Sequence, residues 1–268
     1  MASHKVPPLV CSIGSTDPTA AAGIGLDLRV FARLGVRAAF AVAAVTAQNA
    51  RRVSAIELID PDVVVAQLRA IWETSRPDAV RIGLLPSADA IRAVAGFFRD
   101  SSARPPVVVD PVLAATSGTP FLKPRDVTAL WRLFAIATLI TPNASEAQAL
   151  SGIRVATLAG ARQAAIALST FGCAALVTGG HLPGSLSVDV LAIDGAIAFE
   201  FRAPRLRRVL RGTGCSLAAA IAVGLARGQT LTRAISQAKT FARGELRRGE
   251  KENSRRAATA ANGEPARR

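Results

Sequence analysis

The segment Arg211-Gly212-Thr213-Gly214-Cys215-Ser216 stands immediately before an alanine-rich helical pattern. Two glycines let the backbone come close to a ligand, and the first N–H groups of a helix point outward without partners. The helix dipole adds partial positive charge there, and together these make an anion hole for a phosphoryl group. The same dipole favours a thiolate, so Cys215 is a candidate base or nucleophile. The plainer alternative is a tight turn with Cys215 as a small buried filler. A second cluster, Thr141-Pro142-Asn143-Ala144-Ser145-Glu146, puts an amide and a carboxylate at a strand end. That suits a hydrated Mg²⁺, which prefers oxygen ligands and keeps waters. The same residues also read as a helix cap, with Asn143 at the N-cap and Glu146 completing a capping box. Asp110, closing the run Val107-Val108-Val109-Asp110-Pro111, is a third oxygen donor, and a carboxylate after a buried strand needs a metal or a hydrogen-bonded partner. Gln48 and Asn49 follow a strand pattern; a glutamine amide donates and accepts at once and so matches the edge of an aminopyrimidine, although loop Gln and Asn are common.

These residues need elements to hold them. Short apolar, β-branched runs alternate with helical patterns. Strands are expected at Pro8–Ile13, Val36–Thr46, Ala79–Leu85, Pro106–Val112, Thr138–Thr141 and Ala174–Thr178. Helices are expected at Gly23–Leu34, Pro61–Thr74 behind an Asp60 cap, Ser87–Arg99, Ala144–Leu150, Thr157–Phe171, Gly212–Ala226 and Leu231–Arg247, with a hairpin over Ser187–Phe201 turning at Asp194-Gly195. Strands apolar throughout and separated by helices imply a parallel sheet covered on both faces, with ligands beyond the strands' carboxyl ends. Residues 1–248 form one domain, and 249–268, with five basic residues against three Glu and little apolar content beyond Ala, read as a disordered basic tail.

Composition narrows the function classes. The 268 residues are half apolar and carry a net charge of +14, which fits a globular protein and no disordered one. Three cysteines without CxxC spacing point to a reducing, cytoplasmic compartment and no structural zinc. The uncharged stretch Gln163–Val188 is divided by Gly172, Gly179-Gly180 and Pro183-Gly184, so no membrane span is expected. The basic run Arg202, Arg205, Arg207, Arg208, Arg211 has no aromatic residue after Phe201, which disfavours a single-strand nucleic-acid partner and favours a basic mouth for a small anion. Two histidines, His4 and the loop residue His181, and no GxSxG disfavour a serine hydrolase triad. There is no GxxxxGK[ST] and no GxGxxG.

In order, the pieces Gly14-Ser15-Thr16-Asp17-Pro18, Ala22-Gly23-Ile24 with Asp27, Thr46-Ala47-Gln48-Asn49, Arg81-Ile82-Gly83-Leu84-Leu85, Val109-Asp110-Pro111-Val112, Thr141-Pro142-Asn143 with Glu146, Gly179-Gly180-His181-Leu182 and Gly212-Thr213-Gly214-Cys215 resemble the ribokinase-like superfamily. Within it they resemble the hydroxymethylpyrimidine/phosphomethylpyrimidine kinases of thiamin synthesis. The resemblance implies a three-layer α/β/α sandwich with a central, mostly parallel sheet, ATP and Mg²⁺ as cofactors, a small pyrimidine substrate and a homodimer. It implies that Asp27 and Gln48 hold the pyrimidine ring, that Ser15, Leu84 and Val112 line its pocket, and that Asp110, Asn143 and Glu146 organise Mg²⁺. The amides of Gly212, Thr213 and Gly214 would meet the transferred phosphoryl group and Cys215 the substrate proton, with Thr178, Gly180 and Arg211 beside ATP. A pyridoxal kinase of the same branch and a catalytically weakened ligand-binding relative are the alternatives. Four positions depart from the family pattern: alanines at Ala20 and Ala21 in the glycine-rich first loop, Ser15 for the pocket glycine, Thr178 for a frequent lysine, and Arg211 where His or a small residue is frequent. Arg208 or Arg211 is the expected substitute for that lysine.

Overall fold

The computed structural model describes residues 6–100, 104–115, 117–180, 182–206 and 211–261. His4, His181, Arg207 and Arg208 lie outside the described residues.

The strands are β1 (Leu9–Ser15), β2 (Arg37–Gln48), β3 (Val53–Leu58), β4 (Ala79–Ile82), β5 (Val107–Val109), β6 (Leu139–Ile140), β7 (Ala174–Val177), β8 (Leu186–Ile193) and β9 (Ala196–Pro204). They form one sheet in the order β3-β2-β1-β4-β5-β6-β7-β8-β9. Pairing is parallel from β2 through β7 and antiparallel at both margins, where β3 returns on β2 and β8–β9 form the expected hairpin.

Alternation along each strand sends side chains into two cores. Cys11, Ile13, Val80, Ile82, Val107 and Val109 face one layer. That layer is formed by α2 (Pro61–Thr74), α3 (Ala88–Arg99), α4 (Leu130–Phe134), α5 (Ala144–Ser151) and α6 (Leu158–Ser169). Val10, Val108, Leu139 and Leu176 face the other, formed by α1 (Gly23–Arg33), α7 (Thr213–Ala226) and α8 (Leu231–Ala261). The expected sandwich is the observed one.

Most boundaries fall within a few residues of the sequence reading. Asp60 and Ser87 cap α2 and α3 through their side chains. Three features differ. β3 was not foreseen, because Val53–Leu58 is a largely exposed margin strand without a buried face to pattern it. The turn of 3-10 helix at Pro124–Ala129 leading into α4 was also not foreseen, being too short to show a period. Finally, α8 continues to Ala261, where a disordered tail was expected from 249. Ala and Arg are strong helix formers, so low apolar content alone did not end the helix. Among the described residues no helix is long and apolar enough to cross a membrane.

Candidate active site

The carboxyl ends of β1, β4, β5, β6 and β7 and the start of α7 enclose a cavity of about 460 Å³. Ser15, Gln48, Leu84, Asp110, Val112, Asn143, Glu146, Thr178, Gly180, Arg211, Gly212, Thr213, Gly214 and Cys215 all line it. Fourteen positions spread over two hundred residues of chain therefore meet in one place, as strand-end ligand sites require.

Gly212 makes the corner into α7 at φ +81°, where a Cβ would meet Ala21 O at 2.0 Å. Only glycine lets the helix start bear on the first loop this closely. That loop holds Ala20 at φ +49°, a left-handed conformation that costs a non-glycine residue about 1 kcal/mol or more. The alanine in place of a family glycine thus leaves the loop's path intact with strain. Ser15 donates its hydroxyl to Leu84 O at 3.1 Å, so the extra group is absorbed by the wall. Asn143 and Glu146 form a complete capping box: Asn143 Oδ1 accepts from the Ser145 and Glu146 amides, and Glu146 Oε2 accepts from Asn143 N at 2.9 Å.

Asp27 is the one foreseen site residue the cavity does not contain. It is buried beneath the floor, its Oδ2 accepting from Ser12 Oγ at 2.6 Å and from Arg81 Nη1 at 3.1 Å. Its place on α1 turns it toward the sheet, where Arg81 stands between it and Asp110. Burial pushes its carboxyl up to about 6 against the pull of Arg81 and Ser12, and its Oδ1 has no hydrogen-bond partner among the described residues.

Arg81 carries the floor, and the sequence reading gave it no role. It is 1% exposed inside β4, and its Nη2 bonds Asp110 Oδ2 at 2.5 Å. Ser12 on β1, Arg81 on β4 and Asp110 just beyond β5 share a face by the two-residue period of adjacent strands. A charged residue inside the otherwise apolar run Ala79–Leu85 was the available signal.

Cys215 also departs from expectation. The helix dipole was taken to favour its thiolate, yet burial first, and then the charge of Asp110, push the thiol up to about 12. Arg81 opposes this but is shared between Asp27 and Asp110, and the thiol donates to Asp110. Desolvation and the neighbouring carboxylates together outweigh Arg81. Arg211 departs in direction: its guanidinium turns to the first loop and β2, bonding Gln48 Oε1 and standing 3.3 Å from Asp17 Oδ2. It does not reach toward Thr178.

The cation beside the Thr178 loop is Arg205, which the sequence reading named only as part of a basic run. It donates to the carbonyls of Gly179, Gly180, Gly184 and Leu186. Lys239 of α8 lies nearby, donating to Asp189 Oδ2 at 2.6 Å and Phe201 O at 2.7 Å, while Asp189 Oδ1 accepts from Gly179 N. Burial lowers the lysine's pKa, with Asp189 opposing.

Residues 17–259 match the family described as phosphomethylpyrimidine kinase. The hydroxymethylpyrimidine/phosphomethylpyrimidine kinase of Rhizobium meliloti (strain 1021) is 40% identical over 237 residues, 87% of this chain and 88% of that protein. The crystal structure of phosphomethylpyrimidine kinase from Clostridium difficile 630 has a TM-score of 0.77 at 29% identity, covering 89% of this chain and 99% of that one. Bacillus subtilis pyridoxal kinase, solved as an ADP complex, has a TM-score of 0.81 at 30% identity, covering 88% and 90%. The chain belongs to the phosphomethylpyrimidine kinase family and is a phosphotransferase of the ribokinase-like fold.

Proposed function

We propose that this chain transfers the γ-phosphoryl group of ATP to 4-amino-5-hydroxymethyl-2-methylpyrimidine, to its monophosphate, or to both. One observation carries the reading: a single cavity joins an amide suited to a heteroaromatic edge, Gln48, to the helix start at Gly212–Gly214 with Cys215 between strand ends. Loose phosphoryl transfer asks mainly for positioning and charge stabilisation, and a helix start, with its amides and the positive end of its dipole, suits both.

Asp110, Glu146 and Asn143 fit a hydrated Mg²⁺. Burial and the charge of Asp110 hold Glu146 well above the usual carboxylate range, a crowding of acids that a divalent cation relieves. Among the described residues no three His, Cys, Asp or Glu side chains form a ready metal site, and the capping box already engages Asn143 Oδ1 and Glu146 Oε2. The fit is therefore through waters held by the remaining oxygens. Bound there, Mg²⁺ supplies neutralisation of charge on the phosphates.

A thiol pushed to about 12 is no resting base. Cys215 instead works as a relay, taking the hydroxyl proton as the new P–O bond makes it acidic and handing its own to the Asp110 carboxylate it faces. Three free cysteines suit a reducing cytoplasm. Exposed Phe40 and Val45 on β2 give a homodimer apolar surface to bury, and a monomeric mass in sedimentation would discard that part.

A coupled ADP-release assay over the pyrimidine alcohol, its phosphate, pyridoxal and pyridoxine tests the whole. Turnover of a pyrimidine is expected, falling about 10²–10⁴-fold in Cys215→Ala. Cys215→Ser should retain more activity than Cys215→Ala, because a hydroxyl can relay and an alkyl group cannot. Preference for pyridoxal would install the alternative that the Bacillus subtilis relative favours, and no ADP from any alcohol would leave a ligand-binding relative.

A further inference from the structure

Arg211 spans from the start of α7 to the far side of the cavity. Its Nη1 reaches Thr19 Oγ1 at 3.5 Å, its Nη2 stands 3.3 Å from Asp17 Oδ2, and the same nitrogen donates to Gln48 Oε1. Asp17 is itself fixed, accepting from Thr19 N and Thr19 Oγ1 at 2.9 Å each. The arginine side chain is 15% exposed, held by an acid and a hydroxyl on one side and by the glutamine on the other.

A guanidinium has donors only, so the Gln48 atom it meets must be the carbonyl oxygen. That contact removes the ambiguity of a glutamine amide, which otherwise presents either end by a half-turn. The NH₂ end makes no hydrogen bond among the described residues, and Gln48 lines the cavity at 9% exposure. A donor is therefore left for a ligand.

We propose that Arg211 is a positioning residue that sets specificity: by holding the Gln48 carbonyl it presents the Gln48 NH₂ as a donor, so the pocket selects a heteroaromatic alcohol offering a ring-nitrogen acceptor. This rests on the pyrimidine-kinase reading and deepens it. One of the two lone pairs of the amide oxygen, open to an amino group in the sequence reading, is taken by the protein.

The test compares the pyrimidine alcohol with its two deaza analogues, each with one ring nitrogen replaced by C–H, using kcat/KM and calorimetric binding. The wild type should lose about tenfold with one analogue, the size of one neutral hydrogen bond left unmade. In Arg211→Met the discrimination should shrink below about threefold, through KM with kcat little changed. Arg211→Lys should recover part of it, since an ammonium can donate to the same oxygen but cannot bridge to Asp17 and Thr19 as well. Gln48→Glu removes the donor directly and should lose the same discrimination, which keeps the test decisive if Arg211→Met melts early. Unchanged discrimination in Arg211→Met, or equal use of all three alcohols by the wild type, overturns the proposal while the kinase reading stands. A wild type that neither binds nor phosphorylates the pyrimidine alcohol overturns the reading and the proposal together.

Discussion

The floor of the cavity is lined with buried charge and its rim by α8 with partly buried charge, in opposite surplus. At the floor Arg81 alone serves Asp27 and Asp110, and Glu146 adds a further acid close to Asp110. At the rim Lys239 meets the single carboxylate of Asp189, while Arg205 and Arg243 meet backbone carbonyls and no carboxylate among the described residues. One end is short of cations and the other of anions. In the proposed function a nucleotide with its metal ion would supply both, turning an imbalance of the free protein into complementarity in the complex.

The sharpest probe of the acidic end is its thiol. With Cys215 pushed up to about 12, and Cys11 and Cys173 raised to about 12 by burial alone, the thiols stay protonated at pH 8 and charge only as the pH climbs toward 12. Iodoacetamide should label the native protein on the order of a thousandfold more slowly than a free cysteine of ordinary pKa. Labelling of Cys215 at the free-thiol rate would mean that the dipole wins after all and that the floor is not acid-dominated.

Removing a cation from each end compares them directly. Arg81→Met strands two buried carboxylates and should cost about 3–5 kcal/mol in urea unfolding. Lys239→Met should cost about 1–3 kcal/mol, because Asp189 keeps its bond from Gly179 N. Equal costs would break the comparison. The pH dependence has a definite sign. Asp27 is raised from 3.8 to about 6, so in the wild type its contribution is full below 3.8 and lost as pH rises through about 6. The Arg81→Met deficit should therefore shrink on acidification, since a protonated acid is cheaper to bury.

The fold was largely legible because it is written in local pattern. Apolar strands, the cap at Asp60 and the Asn143–Glu146 capping box need only neighbouring residues to be seen. The site was legible as a set of positions and not as a set of directions. A motif places Asp27 and Arg211 along the chain; helix phase then turned Asp27 under the floor, and Gln48 with Asp17 drew Arg211 away from the Thr178 side. Arg81 was present in a quoted motif, yet its role needs the register of β1, β4 and β5, which no single segment encodes. The state of Cys215 likewise depends on carboxylates about one hundred or more residues away in sequence.

The smallest effect is expected at Arg205, where two roles compete. Its four carbonyl bonds clip the 179–186 loop to β9, and its charge has no anionic partner among the described residues beside the position where the family lysine is replaced by Thr178. If the charge serves ATP, Arg205→Met should raise the KM for ATP about tenfold, the scale of one charge-assisted contact, and change the KM for the alcohol less than threefold. If the side chain is only a clip, both constants should move together with the melting temperature, and Arg205→Lys, which keeps the charge but cannot span four carbonyls, should do no better than Arg205→Met. Selective recovery of the ATP constant by the lysine would instead place the anion-seeking surplus of the rim on this residue.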